Sequence, residues 1–91
     1  MIYTLICKQI NFETDIKVFE HQKIKDTLSI LYNEKIIAIN PDNPIAIRSE
    51  RKAEMISKEM TYEQAGIYNG DILYIEQTME PIIMEDDTVV K

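Results

Sequence analysis

A single amphipathic helix has to serve the whole chain, and this limits the fold more than any other feature. Ile24, Leu28, Leu31, Tyr32 and the aliphatic stem of Lys35 recur at i, i+4, i+7, i+8 and i+11, one face of a 3.6-residue period. Lys23, Lys25, Asp26 and Glu34 fall mostly outside that stripe. No Ser, Thr, Asp or Asn stands at the obvious start, so the spacing does not fix the first helical residue. Asn40-Pro41-Asp42-Asn43-Pro44 marks the stop, because proline disfavours helix at its own position and the one before. The other elements read as strands or turns, apart from one short helical turn. The helix is therefore expected to cover the apolar face of a sheet.

Residues 2–8 are rich in β-branched and aromatic types, as strands are. Alternation puts Tyr3, Leu5 and Cys7 on one face and Thr4, Ile6 and Lys8 on the other. Asn11 sits where a turn is wanted, and residues 14–19 alternate again, with Ile16 and Val18 opposed to Asp15 and Lys17. Together these predict an N-terminal hairpin. After the helix, residues 45–49 and 53–57 read as two strands around the charged turn Glu50-Arg51-Lys52. Thr61 and Gln64 have the spacing of a capping box, which predicts a helical turn near 62–65 with Gly66 as its left-handed end. Asn69-Gly70 is a strong turn signal, and residues 72–76 form a last strand with Leu73 and Ile75 inward.

Ninety-one residues make one domain with one modest core. The 16 acidic residues outnumber the 10 basic ones, which argues against nucleic acid as a partner, since that would need a basic stripe. One Cys allows neither an intrachain disulfide nor a Cys-based zinc site. Two glycines cannot build a phosphate-binding loop. No run approaches the ~20 apolar residues of a membrane span, and Lys8 and Gln9 cut the apolar start too short for a signal peptide. The expectation is a soluble cytoplasmic protein without membrane insertion. The acidity is uneven: residues 1–75 carry a net charge of −2 and residues 76–91 carry −4. The chain is accordingly divided into a folded body, 1–76, and an acidic, partly apolar C-terminal tail, 77–91.

Thr61, Ile67, Asn69-Gly70 and Leu73, within the stretch TYEQAGIYNGDILYI, carry a family resemblance. The order of elements and this stretch resemble the ubiquitin-like β-grasp superfamily. Its members have a Thr-capped helical turn, an Ile that closes it, a polar turn and a strand with a buried Leu. The resemblance covers nearly all of residues 1–76. It implies an α+β fold in which a mixed sheet of about five strands packs on one main helix. The first and last strands would pair in parallel at the centre, and a short helical turn would precede the last strand. Within the superfamily, AGIYNGDILYIE is most similar to the small bacterial YukD/EsaB family of type VII (WXG100) secretion. That likeness implies a non-conjugated adaptor or regulatory protein whose partners are components of the secretion machinery. Two rivals stand beside it. One is a small non-catalytic ubiquitin-like subunit of a multicomponent enzyme, such as a bacterial monooxygenase. The other is the ubiquitin-like domain of a longer protein.

Ubiquitin and the sulfur carriers act through a C-terminal Gly-Gly, whereas both glycines here, Gly66 and Gly70, are explained by turns. Conjugation is therefore not expected. No catalytic residue, cofactor site or metal site is expected either. Cys7 reads as a small buried hydrophobe, and the lone His21 as a solvated loop residue. The aspartates do not recur at calcium-loop spacing. Arg48, Arg51, Lys52 and Lys58 read as a solvated turn balanced by Glu50, Glu54 and Glu59 rather than as a docking patch.

The expected partner-binding surface is the open face of the sheet, with Ile6, Ile72, Tyr74 and Arg48 as its residues and Thr4 and Ala46 beside them. Glu76 falls where ubiquitin keeps a valine, so ubiquitin receptors are not expected to bind. The tail holds Ile82, Ile83, Met84, Val89 and Val90, more apolar than a purely solvating segment. It is expected to pack on the sheet, on its edge or on a neighbouring molecule by strand addition; pairing through the tail or an edge strand would make a homodimer.

Overall fold

The computed structural model describes residues 1–51 and 54–78. Strand β1 (Ile2–Cys7) shows the expected alternation: Tyr3, Leu5 and Cys7 are buried, and Thr4 and Ile6 are half-buried on the other side. A 3-10 turn, Lys8–Ile10, follows, and Asn11 closes it at φ 54°. Asparagine adopts this left-handed conformation more readily than other non-glycine residues. Strand β2 (Phe12–Lys17) returns antiparallel to β1, with Cys7 opposite Phe12 and Ile2 opposite Lys17. It starts and ends two residues earlier than the alternation suggested. The reason is β1, whose first residue already faces Lys17; beyond it Val18 pairs with the chain's first residue, its amide donating to the Met1 carbonyl at 2.9 Å and its carbonyl accepting the Met1 ammonium at 3.2 Å.

Helix α1 (Ile24–Asn33) buries Ile24, Thr27 and Leu28 and packs Leu31 against the core. Its start carries no side-chain cap. The Ile24 and Lys25 amides donate instead to the carbonyls of Met60 and Lys58, both at 2.9 Å, which satisfies orphan donors of the first turn. The helix ends well before the Pro41 stop. Lys35 takes φ 62°, and the Ile36 and Lys35 amides bond back to Leu31 (2.9 Å) and Tyr32 (3.0 Å). This is a Schellman termination with a lysine where glycine is usual. The chain released by it buries Ile37 and Ile39.

Strands β3 (Ile45–Ser49) and β4 (Met55–Ile56) pair antiparallel at one edge of the sheet, and β4 is shorter than residues 53–57 suggested. Strand β5 (Ile72–Gln77) lies between β1 and β3, parallel to the first and antiparallel to the second. The order β2-β1-β5-β3-β4 places the first and last strands side by side in parallel, as the β-grasp expectation requires.

The lead into β5 is fixed by local hydrogen bonds. Thr61 N–H donates to Gln64 Oε1 (3.0 Å) and Gln64 N–H to Thr61 Oγ1 (3.1 Å), a reciprocal capping box. One helical turn follows, closed by Ala65 N–H to the Thr61 carbonyl at 3.0 Å, with Gly66 at φ 72°. At the next turn Asn69 Oδ1 accepts the Ile2 amide (2.8 Å), and Gly70 N–H donates to the Ile2 carbonyl (2.7 Å).

Two polar groups in the core lock this segment to the sheet. The Tyr3 and Tyr62 hydroxyls hydrogen-bond at 2.8 Å, and their rings are 5.2 Å apart. Burial pushes both phenols above their ordinary pKa. Asp71, only 2% exposed, accepts the Ser49 hydroxyl at 3.1 and 3.0 Å and the Ile72 amide at 2.7 Å. Lys52 and the tail from residue 79 onward lie outside the described residues.

Candidate partner-binding face

Helix α1 covers one side of the sheet, and among the described residues the other side is open. The strand register decides what meets there. Ile6 lies opposite Tyr74 across β1–β5, Thr4 opposite Ile72, and Arg48 opposite Tyr74 across β3–β5. Ile6, Ile72, Tyr74 and Arg48 therefore come together on one surface. Thr4 sits at its margin, where its hydroxyl donates to Asp15 at 2.6 Å, and Ala46 lies beside Glu76.

Tyr74 is the centre of this face. Its ring receives the Arg48 guanidinium at 4.6 Å from β3 and the Lys8 ammonium at 5.4 Å from just beyond β1. Both distances lie within cation–π range. Its hydroxyl donates to Glu50 Oε1 at 2.6 Å. That bond to a carboxylate holds the phenol above its ordinary pKa, with lesser contributions from partial desolvation and the Glu50 charge. Both ends of the side chain are thus positioned before any partner arrives, which lowers the ordering cost of binding. Two small hollows flank the ring. One, of about 120 Å3, lies between Lys8, Gln9, Arg48 and Glu76. The other, of about 60 Å3, lies between Ala46, Arg48, Met55 and Glu76.

Sequence reading missed three members of this surface. Lys8 was assigned to the outward side of β1 but not connected to Tyr74. Glu50 was read as turn charge. Met55, 67% exposed, comes to lie opposite Arg48 through β3–β4 pairing, and only the length of the intervening turn decides that register. Among the described residues, the basic side chains near that turn point to separate partners. Lys58 Nζ bonds the Pro41 and Asn43 carbonyls, Arg51 lies over the Tyr68 ring at 5.0 Å, and Arg48 is engaged with Tyr74.

Cys7 is buried. His21 is exposed and lies 3.0 Å from Glu63. Among the described residues no group of three or more His, Cys, Asp or Glu is placed to hold a metal, and no helix is long and apolar enough to cross a membrane. What the arrangement offers is an aromatic anchor with two cations beside it and aliphatic neighbours. This suits contact with an apolar side chain that has acidic groups nearby.

No protein-family profile and no curated protein sequence matches the chain. Solved structures do match. The N-terminal ubiquitin-like domain of the 4931431F19Rik protein superposes with a TM-score of 0.66 at 10% identity, covering 93% of this chain and 81% of that one. A computationally designed protein based on human erythrocytic ubiquitin gives a TM-score of 0.67 at 11% identity, with 91% and 98% covered. Another ubiquitin-based design gives 0.68 at 11% identity, with 92% and 95% covered. The fold is the ubiquitin-like β-grasp. At these identities the likeness is one of architecture.

Proposed function

We propose that this chain is a non-conjugated ubiquitin-like adaptor that works by protein–protein binding through the open face of its sheet, without catalytic activity. The observation that carries this reading is the fixed Tyr74, held through its hydroxyl by Glu50 and through its ring by Arg48 and Lys8, with Ile6 and Ile72 alongside. A further support is that Gly66 and Gly70, the only glycines, sit in turns at φ 72° and 87°. In the finer reading the adaptor serves a bacterial type VII secretion system in the cytoplasm, binding cytosolic parts of its membrane components. The support for that step is the likeness of AGIYNGDILYIE to the YukD/EsaB family.

Gene neighbourhood tests the finer step. Adjacent WXG100 and FtsK/SpoIIIE-type ATPase genes support it, and adjacent oxygenase subunits would replace it with the enzyme-subunit reading. The binding surface is tested separately by affinity measurements with cytosolic segments of the neighbouring machinery. Tyr74→Ala or Ile72→Asp is expected to weaken binding at least tenfold, about 1.4 kcal/mol, with an unchanged circular dichroism spectrum. Undiminished affinity in a folded variant would remove this face from the proposal.

A further inference from the structure

A second surface lies away from the open face. Ile10 and Phe12, at the β1–β2 turn, face Tyr32, Lys35 and Ile36 at the end of α1 across a groove of about 700 Å3. Ile36 is 51% exposed, Ile10 38% and Tyr32 37%. Lys35 is the one charged side chain among those that line the groove. Contiguous apolar surface of this kind marks a place where something docks.

The end of β5 is tied to the residue that precedes Ile10. Gln9, next to Ile10, is tied to Gln77 by two hydrogen bonds: Gln9 Nε2 donates to the Gln77 carbonyl at 3.0 Å, and Gln77 N–H donates to Gln9 Oε1 at 2.6 Å. Thr78 is held by its bond to the Pro44 carbonyl (3.0 Å), so the span to the groove falls to the residues after it. Six extended residues reach about 20 Å. The sequence that follows is Glu80-Pro81-Ile82-Ile83-Met84-Glu85-Asp86-Asp87, an apolar tetrad between acidic flanks. It matches an apolar groove with a single cation at its rim, in both polarity and charge.

We propose that Pro81-Ile82-Ile83-Met84 seats in this groove within the same molecule, with its acidic flank beside Lys35. A tether this short presents the tetrad at an effective concentration in the millimolar range, which a second copy or a separate partner has to exceed to displace it. The groove then belongs to the chain's own tail, and the open face around Tyr74 is left for other proteins. Ubiquitin-like architecture supplies the scaffold, and residues 79–91 add a segment complementary to one of its surfaces.

The test is methyl NMR on the full chain with labelled Ile and Met side chains. NOEs are expected between Ile82, Ile83 or Met84 and Ile10 or Ile36, and the 81–84 shifts should be displaced from random-coil values. Ile36→Asp, at an exposed position, should abolish these NOEs and return the 81–84 shifts to random coil while the Leu5 and Leu73 amide shifts stay in place. Ile83→Asp should do the same from the other side. Random-coil shifts in the unsubstituted chain would overturn the proposal. So would NOEs that survive both substitutions. NOEs that appear only between labelled and unlabelled chains in a mixed sample would assign the groove to a second copy and overturn it equally.

Discussion

Replacing Tyr62 with Phe removes a single oxygen from the core and leaves the ring contact with Tyr3 in place. Among the described residues, the Tyr3 hydroxyl has the Tyr62 hydroxyl, at 2.8 Å, as its one side-chain hydrogen-bond partner. Tyr3 is 1% exposed, so water cannot take over that role. The substitution loses a net hydrogen bond and strands a buried hydroxyl, which together cost about 2 kcal/mol. For a domain of this size that lowers the melting temperature by roughly 8–16 °C. Tyr3→Phe should cost a similar amount for the same reason. The double variant should cost clearly less than the two singles added together, because the second change removes a group that the first had already orphaned. Urea unfolding of the four proteins by circular dichroism measures the cycle, and a constant m-value shows that only stability changed.

Thr27 provides the internal control. Its buried hydroxyl lies beside Tyr62, and among the described residues it makes no hydrogen bond of normal geometry. Thr27→Val keeps the shape and removes the unpaired oxygen, so it should be neutral or stabilising. If Tyr62→Phe stays within about 0.5 kcal/mol of the parent, or if the two singles simply add, the pair is not the coupled unit described. A loss at Thr27→Val of the size expected for Tyr62→Phe would mean that Thr27 completes the hydrogen bonding of the pair.

Alkali should destabilise the fold. Above about pH 10 the unfolded chain releases phenol protons that buried Tyr3 and Tyr62 retain. Stability is therefore full below that pH and falls as pH rises, by about 1.4 kcal/mol per unit for each group. Urea midpoints between pH 8 and 11 should show the fall, and Tyr3→Phe/Tyr62→Phe should flatten it. Asp71→Ala leaves the Ser49 hydroxyl and the Ile72 amide without their acceptor, and a loss of about 2–3 kcal/mol is expected by the same unfolding assay. Gly70→Ala meets no atom within 4 Å, but Gly70 sits at φ +87°. Its expected cost of about 1–2 kcal/mol is purely a backbone effect, and a neutral result would mean that the turn adopts another conformation.

The features legible in the sequence are those that depend on parity and local chemistry. Tyr3, Leu5 and Cys7 alternate with Thr4 and Ile6, and the structure buries the first set. Thr61 and Gln64 announce their capping box by spacing alone. The illegible features depend on distant partners. The helix ends at a left-handed Lys35, where no glycine marks the place. Ile37 and Ile39 are buried from irregular chain, which has no period to detect. The Tyr3–Tyr62 bond joins residues 59 positions apart, and Asp71 is buried only because β3 delivers Ser49 to it.

The open face combines both kinds of information. Parity alone put Ile6, Ile72, Tyr74 and Arg48 on the outside, but their mutual contact depends on register. If β3 slipped by one residue, Ile47 or Ser49 would lie opposite Tyr74, and Arg48 would move to the buried side. The core holds that register through Ile47 opposite Ile75 and Ser49 opposite Leu73, all four buried. The same packing that buries one side of the sheet therefore sets the Arg48–Tyr74–Lys8 arrangement on the other. Substitutions at Ser49 or Asp71 should consequently disturb the proposed partner binding through Tyr74, read as a loss of affinity in a folded variant, although neither residue reaches the open face.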